Sequence, residues 1–233
     1  MIWIASIFWY GLLATAVFQT VLVVIYRWKI ATTPALKINQ AFQPRTAVLL
    51  CLRGPDPSIV HCLRALATQS FPNFELHLVT DCHDDPVLEI AKDVLLSLNG
   101  DEPELQAIKH HFHVLPAPLT TCSLKCSAFT YAISKLPSEV DVVVSVDADA
   151  VVTPNWLETL IAPLEDPKVG VSSGNRWFKI PANRKIGSAV RAVWNAAAVV
   201  QMYLYQIPWG GSLAIRRDVI NDGNLMDLSL IHI

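Results

Sequence analysis

The sequence predicts an α/β domain, a mostly parallel sheet sandwiched by helices, preceded by one transmembrane helix. Three observations predict it. From residue 46 onwards, strand-length apolar runs alternate with helix-length amphipathic segments, the pattern of a parallel sheet covered by helices. The run VVVSVDADAVV (142–152) opens with a stretch apolar at four of its five positions, as in a strand buried on both faces. No charged residue occurs from Ile2 to Tyr26, long enough to cross a bilayer of about 30 Å at about 1.5 Å per residue.

Each element follows in order. Trp3, Trp9, Tyr10, Tyr26 and Trp28 flank the N-terminal span where aromatic belts lie. A cleaved signal peptide fits less well, because no basic segment precedes the run, its apolar core is too long and no small-x-small site closes it. Arg27, Lys29 and Lys37 follow it, so the remaining chain is expected in the cytoplasm. Polar residues with Pro34 and Pro44 then read as a linker. TAVLLCL (46–52) is a strand, and Ile59, Leu63 and Leu66 share one face of the helix after it. FELHLVT (74–80) is a second strand, VLEIAKDVLLSL a helix, FHVLP a short third strand and Leu124–Leu136 a helix. DVVVSVD (141–147) is the central strand, followed by a helix with Thr153 as cap and Pro154 at its first position. VGVSSGNRWF and GSLAIRR are later strands. Between them, 184–206 is a long apolar helix expected to pack in the core, with a membrane-surface or acceptor-facing role as the alternative. The boundaries are 1–28 for the anchor, 29–45 for the linker, 46–227 for the α/β domain and 228–233 (LSLIHI) for a non-native tail.

Composition narrows the function. Hydrophobic residues make up 52% and charged ones 16%, an excess concentrated in the anchor. A formal net charge of −2 argues against nucleic-acid binding through a basic surface. Five cysteines at unrelated spacings are expected to be free thiols in a reducing compartment. HHFH (His110, His111, His113) suggests a metal at first sight. With no neighbouring cysteine or carboxylate pattern it is assigned to a partly exposed strand start.

In sheets of this kind ligands bind where the strands end at their carboxyl sides. Asp81 and Asp147 each stand at such an end. Asp147 and Asp149, separated by one alanine, can converge on one hard cation such as Mg²⁺ or Mn²⁺, completed by substrate phosphates. A solvated strand-end turn is the simpler alternative.

The order of LRGPDP (52–57), HDDP (83–86), Lys125, VDADAVVTPNWLETL and GGSLAIRRDVI resembles the family-2 inverting glycosyltransferases of the GT-A fold. The nearest likeness is to the ceramide glucosyltransferase-like membrane lipid glycosyltransferases, over roughly 46–227. Arg53-Gly54, where the wider family commonly has Asn-Glu, points to that subgroup, whereas DAD is fuller than its second motif. The resemblance implies a nucleotide-sugar donor, UDP-linked by expectation, and a lipid or glycan acceptor. It implies that Asp85 and Asp81 lie near the nucleotide, that Asp147 and Asp149 bind the diphosphate through the metal, and that Lys125 offsets its charge. Gly210, Gly211 and Ser212 would approach the sugar or acceptor through their backbone. The family's catalytic base lies in an acidic motif after the GGS strand, here expected beyond residue 227. Two other classes remain open: a phosphatase of the haloacid-dehalogenase type, which VDADAV fits locally with Asp147 as nucleophile, and a non-catalytic membrane-anchored binding module.

Overall fold

The computed structural model describes residues 2–100, 108–178 and 186–222; the tail 228–233 and the end of the expected domain lie outside them. The chain divides into two compact units, Met1–Ala35 with Asn175–Pro208, and Leu36–Gly174 with Trp209–Ile233.

The first unit is helical. Helix α1 spans Ile2–Thr32, so the helix runs four residues past the expected end of the anchor. Its stretch Ala5–Thr32 is long and apolar enough to cross a membrane, a test that a signal sequence also passes.

The second unit holds the sheet. Strand β1 (Thr46–Cys51) leads to helix α2 (Ile59–Ala67), β2 (Phe74–Thr80), α3 (Val87–Gly100) and β3 (Lys109–Val114). Helix α4 (Leu124–Lys135), β4 (Val142–Val146), α5 (Trp156–Ile161), a 3₁₀ turn over Ala162–Glu165 and β5 (Val171–Ser173) follow. The chain then passes through α6 (Ile186–Tyr205), which belongs to the first unit, before β6 (Ser212–Arg216) and α7 (Arg217–Asp222).

The sheet order is β3-β2-β1-β4-β6-β5. β1 pairs in parallel with both β2 and β4, β2 in parallel with β3, and β6 runs antiparallel to β4 and β5. The expectation of a mostly parallel sheet is met. Its central strands are apolar at successive positions because helices cover both faces. Val48, Leu50, Leu76, Leu78, Val144 and Val146 pack under α2, α3 and α5, while Ala47, Leu49, Val79 and Val143 pack under α4 and α7. All five residues of β4 are buried.

Because the chain runs outward from β1 to β3 and returns on the other side of β1 as β4, the strand order reverses between β1 and β4. A reversal of this kind splays the connecting loops and opens a crevice at the carboxyl ends of the two strands.

Two expectations are corrected. Helix α5 begins at Trp156 with Asn155 at its cap position, not at Thr153. Residues 153–155 instead form a turn in which the Trp156 N–H donates to the Thr153 carbonyl at 2.9 Å. The buried Gln69 side chain accepts from the Leu157 N–H at 2.9 Å and donates to the Thr153 carbonyl at 2.8 Å. A glutamine from α2's loop thus satisfies an orphan donor that a local cap would otherwise take. The second correction concerns α6. Only Val199 and Val200 of this helix are buried, whereas Ile186, Val190, Val193 and Trp194 are exposed. Within the first unit it stands beside α1, where Tyr203 meets Tyr26 edge-to-face at 5.3 Å.

Candidate donor-binding crevice

The crevice is assembled from the ends of β1 and β4. After Cys51 the chain turns through Leu52, whose N–H donates to the Val79 carbonyl at 2.8 Å, and then through Gly54 at φ 68°. That left-handed conformation carries little penalty only for glycine. The Gly54 N–H donates to Asp85 Oδ2 at 2.8 Å, and Asp85 Oδ1 accepts from the Val87 N–H at 2.9 Å. Asp85 therefore uses both oxygens on backbone donors. It joins the loop after β1 to the start of α3, and it is not among the residues lining the crevice. Asp81, at the end of β2, faces Arg53 with Nε to Oδ2 at 3.5 Å.

Asp147 leaves β4 at the floor. Its N–H donates to the Gly211 carbonyl at 3.2 Å, and its carbonyl accepts from the Ala150 N–H at 3.0 Å, closing a tight turn that presents Asp149 outward. Its carboxylate pairs with the Lys125 ammonium from the first turn of α4. That helix is capped by Ser123, whose hydroxyl accepts from the Cys126 N–H at 3.2 Å. Asp149 is exposed, and no side-chain hydrogen bond is recorded for it among the described residues. The two carboxylates thus stand in different states, one neutralised by a lysine and one left bare at the mouth.

A cavity of about 350 Å³ lies here, bounded by Arg53, Gly54, Asp56, Asp147, Ala148 and Asp149 over an apolar floor of Leu52, Ile59 and Val87. A second cavity of about 420 Å³ lies on the other side of Asp147, among Lys125, Phe129, Ser145, Trp209, Gly210 and Gly211. Asp147 lines both. The Gly210 carbonyl accepts from the buried Ser145 hydroxyl, which holds the Trp209–Gly211 segment against β4. Gly211 has no room for a side chain, since a Cβ there would overlap the Asp147 carboxylate and the Trp209 ring. Ser212 is placed differently: its hydroxyl is buried and accepts from Trp156 Nε1 at 2.9 Å, and its carbonyl accepts from the Gly174 N–H at 2.9 Å. Its polar groups serve the sheet.

Lys125, Asp147, Asp149, Gly210 and Gly211 are therefore brought together, whereas Asp81, Asp85 and Ser212 are not among the residues lining either cavity. Arg53 and Asp56 also line the cavity, although the sequence did not mark either as a site residue. The LRGPDP stretch that contains them was the available signal, a Gly-Pro turn directly after a strand.

Two thiols underlie this floor. Cys62 Sγ donates to the Asp147 carbonyl at 3.8 Å. Burial, reinforced by the fields of Asp149 and Asp147, pushes the Cys62 thiol up to about 12, and burial likewise pushes Cys51 to about 12. Such thiols stay protonated and unreactive. Iodoacetamide at about pH 8 is accordingly expected to label the exposed Cys82 in the folded chain and to spare Cys62. Mass spectrometry reads the labelled positions; equal labelling of the two would contradict the placement of the Asp147 turn over Cys62.

The donor set at the mouth suits a hard divalent cation. Asp149 offers an uncommitted carboxylate and Asp147, two residues earlier, a second one shared with Lys125, with open space in place of further protein ligands. Mg²⁺ and Mn²⁺ favour few protein oxygens and retain positions for water or phosphate.

Comparison with known proteins agrees with this architecture. Residues 48–223 match the family model described as glycosyl transferase family 2. No curated protein sequence matches the chain. Among solved structures, the chain is similar to the mannosyltransferase PcManGT from Pyrobaculum calidifontis in complex with GDP-Man and Mn²⁺. The identity is 18% over 90% of this chain and 56% of that one, with a TM-score of 0.58. It is also similar to S. aureus TarS 1-349 in complex with UDP, at 16% identity over 80% of this chain and 52% of that one, with a TM-score of 0.51. At these identities the likeness is one of fold. The chain spans about half the length of these structures.

Proposed function

This chain belongs to glycosyl transferase family 2, and we infer that it holds the donor-binding site of a membrane-anchored inverting glycosyltransferase. The enzyme moves a sugar from a nucleotide diphosphate, UDP by preference, to the hydroxyl of a lipid or glycan. The observation that carries this reading is the Lys125–Asp147–Gly211 constellation at the end of β4, with Asp149 bare beside a cavity of about 350 Å³.

In the reaction the acceptor oxygen forms a bond to the anomeric carbon while the bond from that carbon to the diphosphate breaks, which inverts the configuration. Negative charge then develops on the departing diphosphate. Lys125 lines the second cavity and pairs with Asp147, which lines both, and from there its positive charge would offset that of the diphosphate. Asp147 and Asp149 would hold Mg²⁺ or Mn²⁺, which when bound supplies Lewis-acid stabilisation of the leaving group. Arg53 and Gly54 bound one side of the cavity, and Arg53 pairs with Asp81 at 3.5 Å; the nucleoside would lie on this side. The proton from the acceptor goes to a carboxylate of the acidic motif that, in the family pattern, follows the GGS strand.

The membrane and the lipid acceptor rest on the first unit. α1 supplies the anchor, with Arg27 and Lys29 at its end favouring a cytoplasmic domain. α6 carries Ile186, Val190, Val193 and Trp194 along one exposed stripe, which suits a helix lying in the membrane surface. The ceramide glucosyltransferase-like motifs favour a lipid hydroxyl over a growing polysaccharide.

The test is calorimetric titration of the detergent-solubilised chain with UDP-glucose, UDP-N-acetylglucosamine and GDP-mannose, with and without Mn²⁺. Binding of at least one donor that weakens about tenfold or more without the metal is expected, since loss of even an outer-shell partner costs a metal site that much. Absence of binding by all three with Mn²⁺ present would overturn the donor site, and covalent phosphorylation of Asp147 would replace it with the phosphatase chemistry.

A further inference from the structure

Charge is divided unevenly between the two units of the chain. The first, Met1–Ala35 with Asn175–Pro208, carries seven Lys and Arg residues and no Asp or Glu. The second carries the other eleven and all twenty carboxylates, so the formal net charge of −2 divides into +7 on one unit and −9 on the other. The cationic unit is also the one that contains α1, and it exposes Trp177, Ile186, Val190, Val193 and Trp194.

Cations and aromatic rings are interleaved there. Asn195 Nδ2 on α6 donates to the Arg176 carbonyl at 2.6 Å, which ties the segment after β5 to the helix. Phe178 then meets two guanidinium groups, with Arg176 Cζ 4.5 Å and Arg191 Cζ 5.5 Å from its ring centre. The ring attracts each cation and offsets part of their mutual repulsion; a phosphate beside them would offset more. Both arginines are exposed, and each has an exposed tryptophan as neighbour, Trp177 next to Arg176 and Trp194 one helical turn after Arg191. Arg191 flanks the apolar stripe of α6, where its stem can cover apolar surface while the guanidinium stays at the polar edge.

The neighbouring helix indicates the occupant. Tyr203, near the end of α6, packs on Tyr26, which directly precedes Arg27, Trp28 and Lys29 in α1. With α1 across a bilayer, these aromatic and basic residues lie at its headgroup level, and so does the part of α6 that touches them. An anionic polymer would match the arginines but leave the apolar stripe in water. A lipid surface takes both.

We propose that Arg176, Trp177, Arg191 and Trp194 form a docking surface for the anionic phospholipid headgroups of the bilayer that holds α1. This surface rests on the reading of α1 as the anchor, and adds that α6 selects the charge of the lipid. The planar arginine forks suit phosphate oxygens, and the tryptophans suit the headgroup level above the buried stripe.

The test compares hydrogen exchange of residues 186–205 in the whole chain, first in detergent, then in nanodiscs of phosphatidylcholine alone or mixed with phosphatidylglycerol. A helix with few buried contacts opens readily in water and exchanges more slowly once docked. Exchange about tenfold or more slower in anionic than in neutral discs is expected, since each arginine near an anionic surface contributes about fivefold, equivalent to about 1 kcal/mol. Salt at about 1 M, which shortens the screening length to about 3 Å, should abolish the difference. Arg176→Gln combined with Arg191→Gln should remove most of it, whereas lysine at both positions keeps the charge and should retain it. Unchanged exchange in β1 and β4 checks that the variants fold. Equal exchange in the two lipids, or a difference that survives the double glutamine variant, would overturn the headgroup surface. Exchange as fast in both discs as in detergent would also overturn it, in favour of a protein partner on the stripe. Carbonate extraction tests the anchor separately: release of the chain would overturn that reading, while the comparison of the two lipids still decides the headgroup surface.

Discussion

Asp149→Ala is expected to abolish metal-dependent nucleotide-sugar binding while leaving the fold intact. The side chain is exposed and has no recorded hydrogen bond among the described residues, so its removal breaks nothing in the sheet. A surface change of this kind shifts stability by no more than about 0.5 kcal/mol. Its effect on the ligand is the reverse. Asp147 is already paired with Lys125, so the net charge available to a cation at the mouth comes mainly from Asp149. Loss of an outer-shell partner costs a metal site about 10- to 100-fold, and loss of a direct ligand is expected at or above the upper end. Calorimetry with Mn²⁺ should show a donor affinity reduced about 100-fold or more, with an unchanged thermal midpoint. If the affinity holds, the cation is not at Asp149.

Gly211→Ala is expected to be the more damaging of two neighbouring glycine substitutions, lowering both donor affinity and stability. An added Cβ at Gly211 would overlap the Asp147 carboxylate and the Trp209 ring, whereas one at Gly210 meets nothing within 4 Å. The backbone conformation of Gly211 is not the obstacle, since its φ is not positive. The obstacle is space. The Asp147 N–H is bound to the Gly211 carbonyl at 3.2 Å, so the two backbones cannot separate without loss of that bond. The carboxylate must then swing away from Lys125 and the Trp209 ring must move as well. Overpacking of this kind costs about 1–3 kcal/mol. Thermal melts and donor titrations of Gly211→Ala, with Gly210→Ala as the paired control, check it. Equal effects from the two would show that the Asp147 contact does not govern the site.

Much of this architecture was legible because it follows from local pattern. VVVSV could only be a strand covered on both faces, and all five residues are buried. DAD was legible as a pair of strand-end carboxylates because residues directly after such a strand emerge where the sheet opens. HDDP was legible as a motif, but not what Asp85 does. Its oxygens go to the N–H groups of Gly54 and Val87, and one of these partners is 31 residues away in sequence. Ser212 looked like part of a glycine-rich approach to substrate, until a tryptophan from α5 took its hydroxyl. HHFH was legible as a partly exposed strand start, but not that Glu75 would face His111 across the strand pair.

The sequence by itself determined the order of the elements, the parallel character of the sheet and the place of Asp147 and Asp149 at its carboxyl edge, because hydrophobic period and strand-end position are properties of a single segment. Only the tertiary structure decided which polar groups are already spoken for, that α6 groups with α1, and that a side chain at Gly211 would displace Asp147 and Trp209. Each of these depends on a partner brought from a distant part of the chain, and the cost of a buried polar atom or an overlapping side chain exists only once that partner is in place.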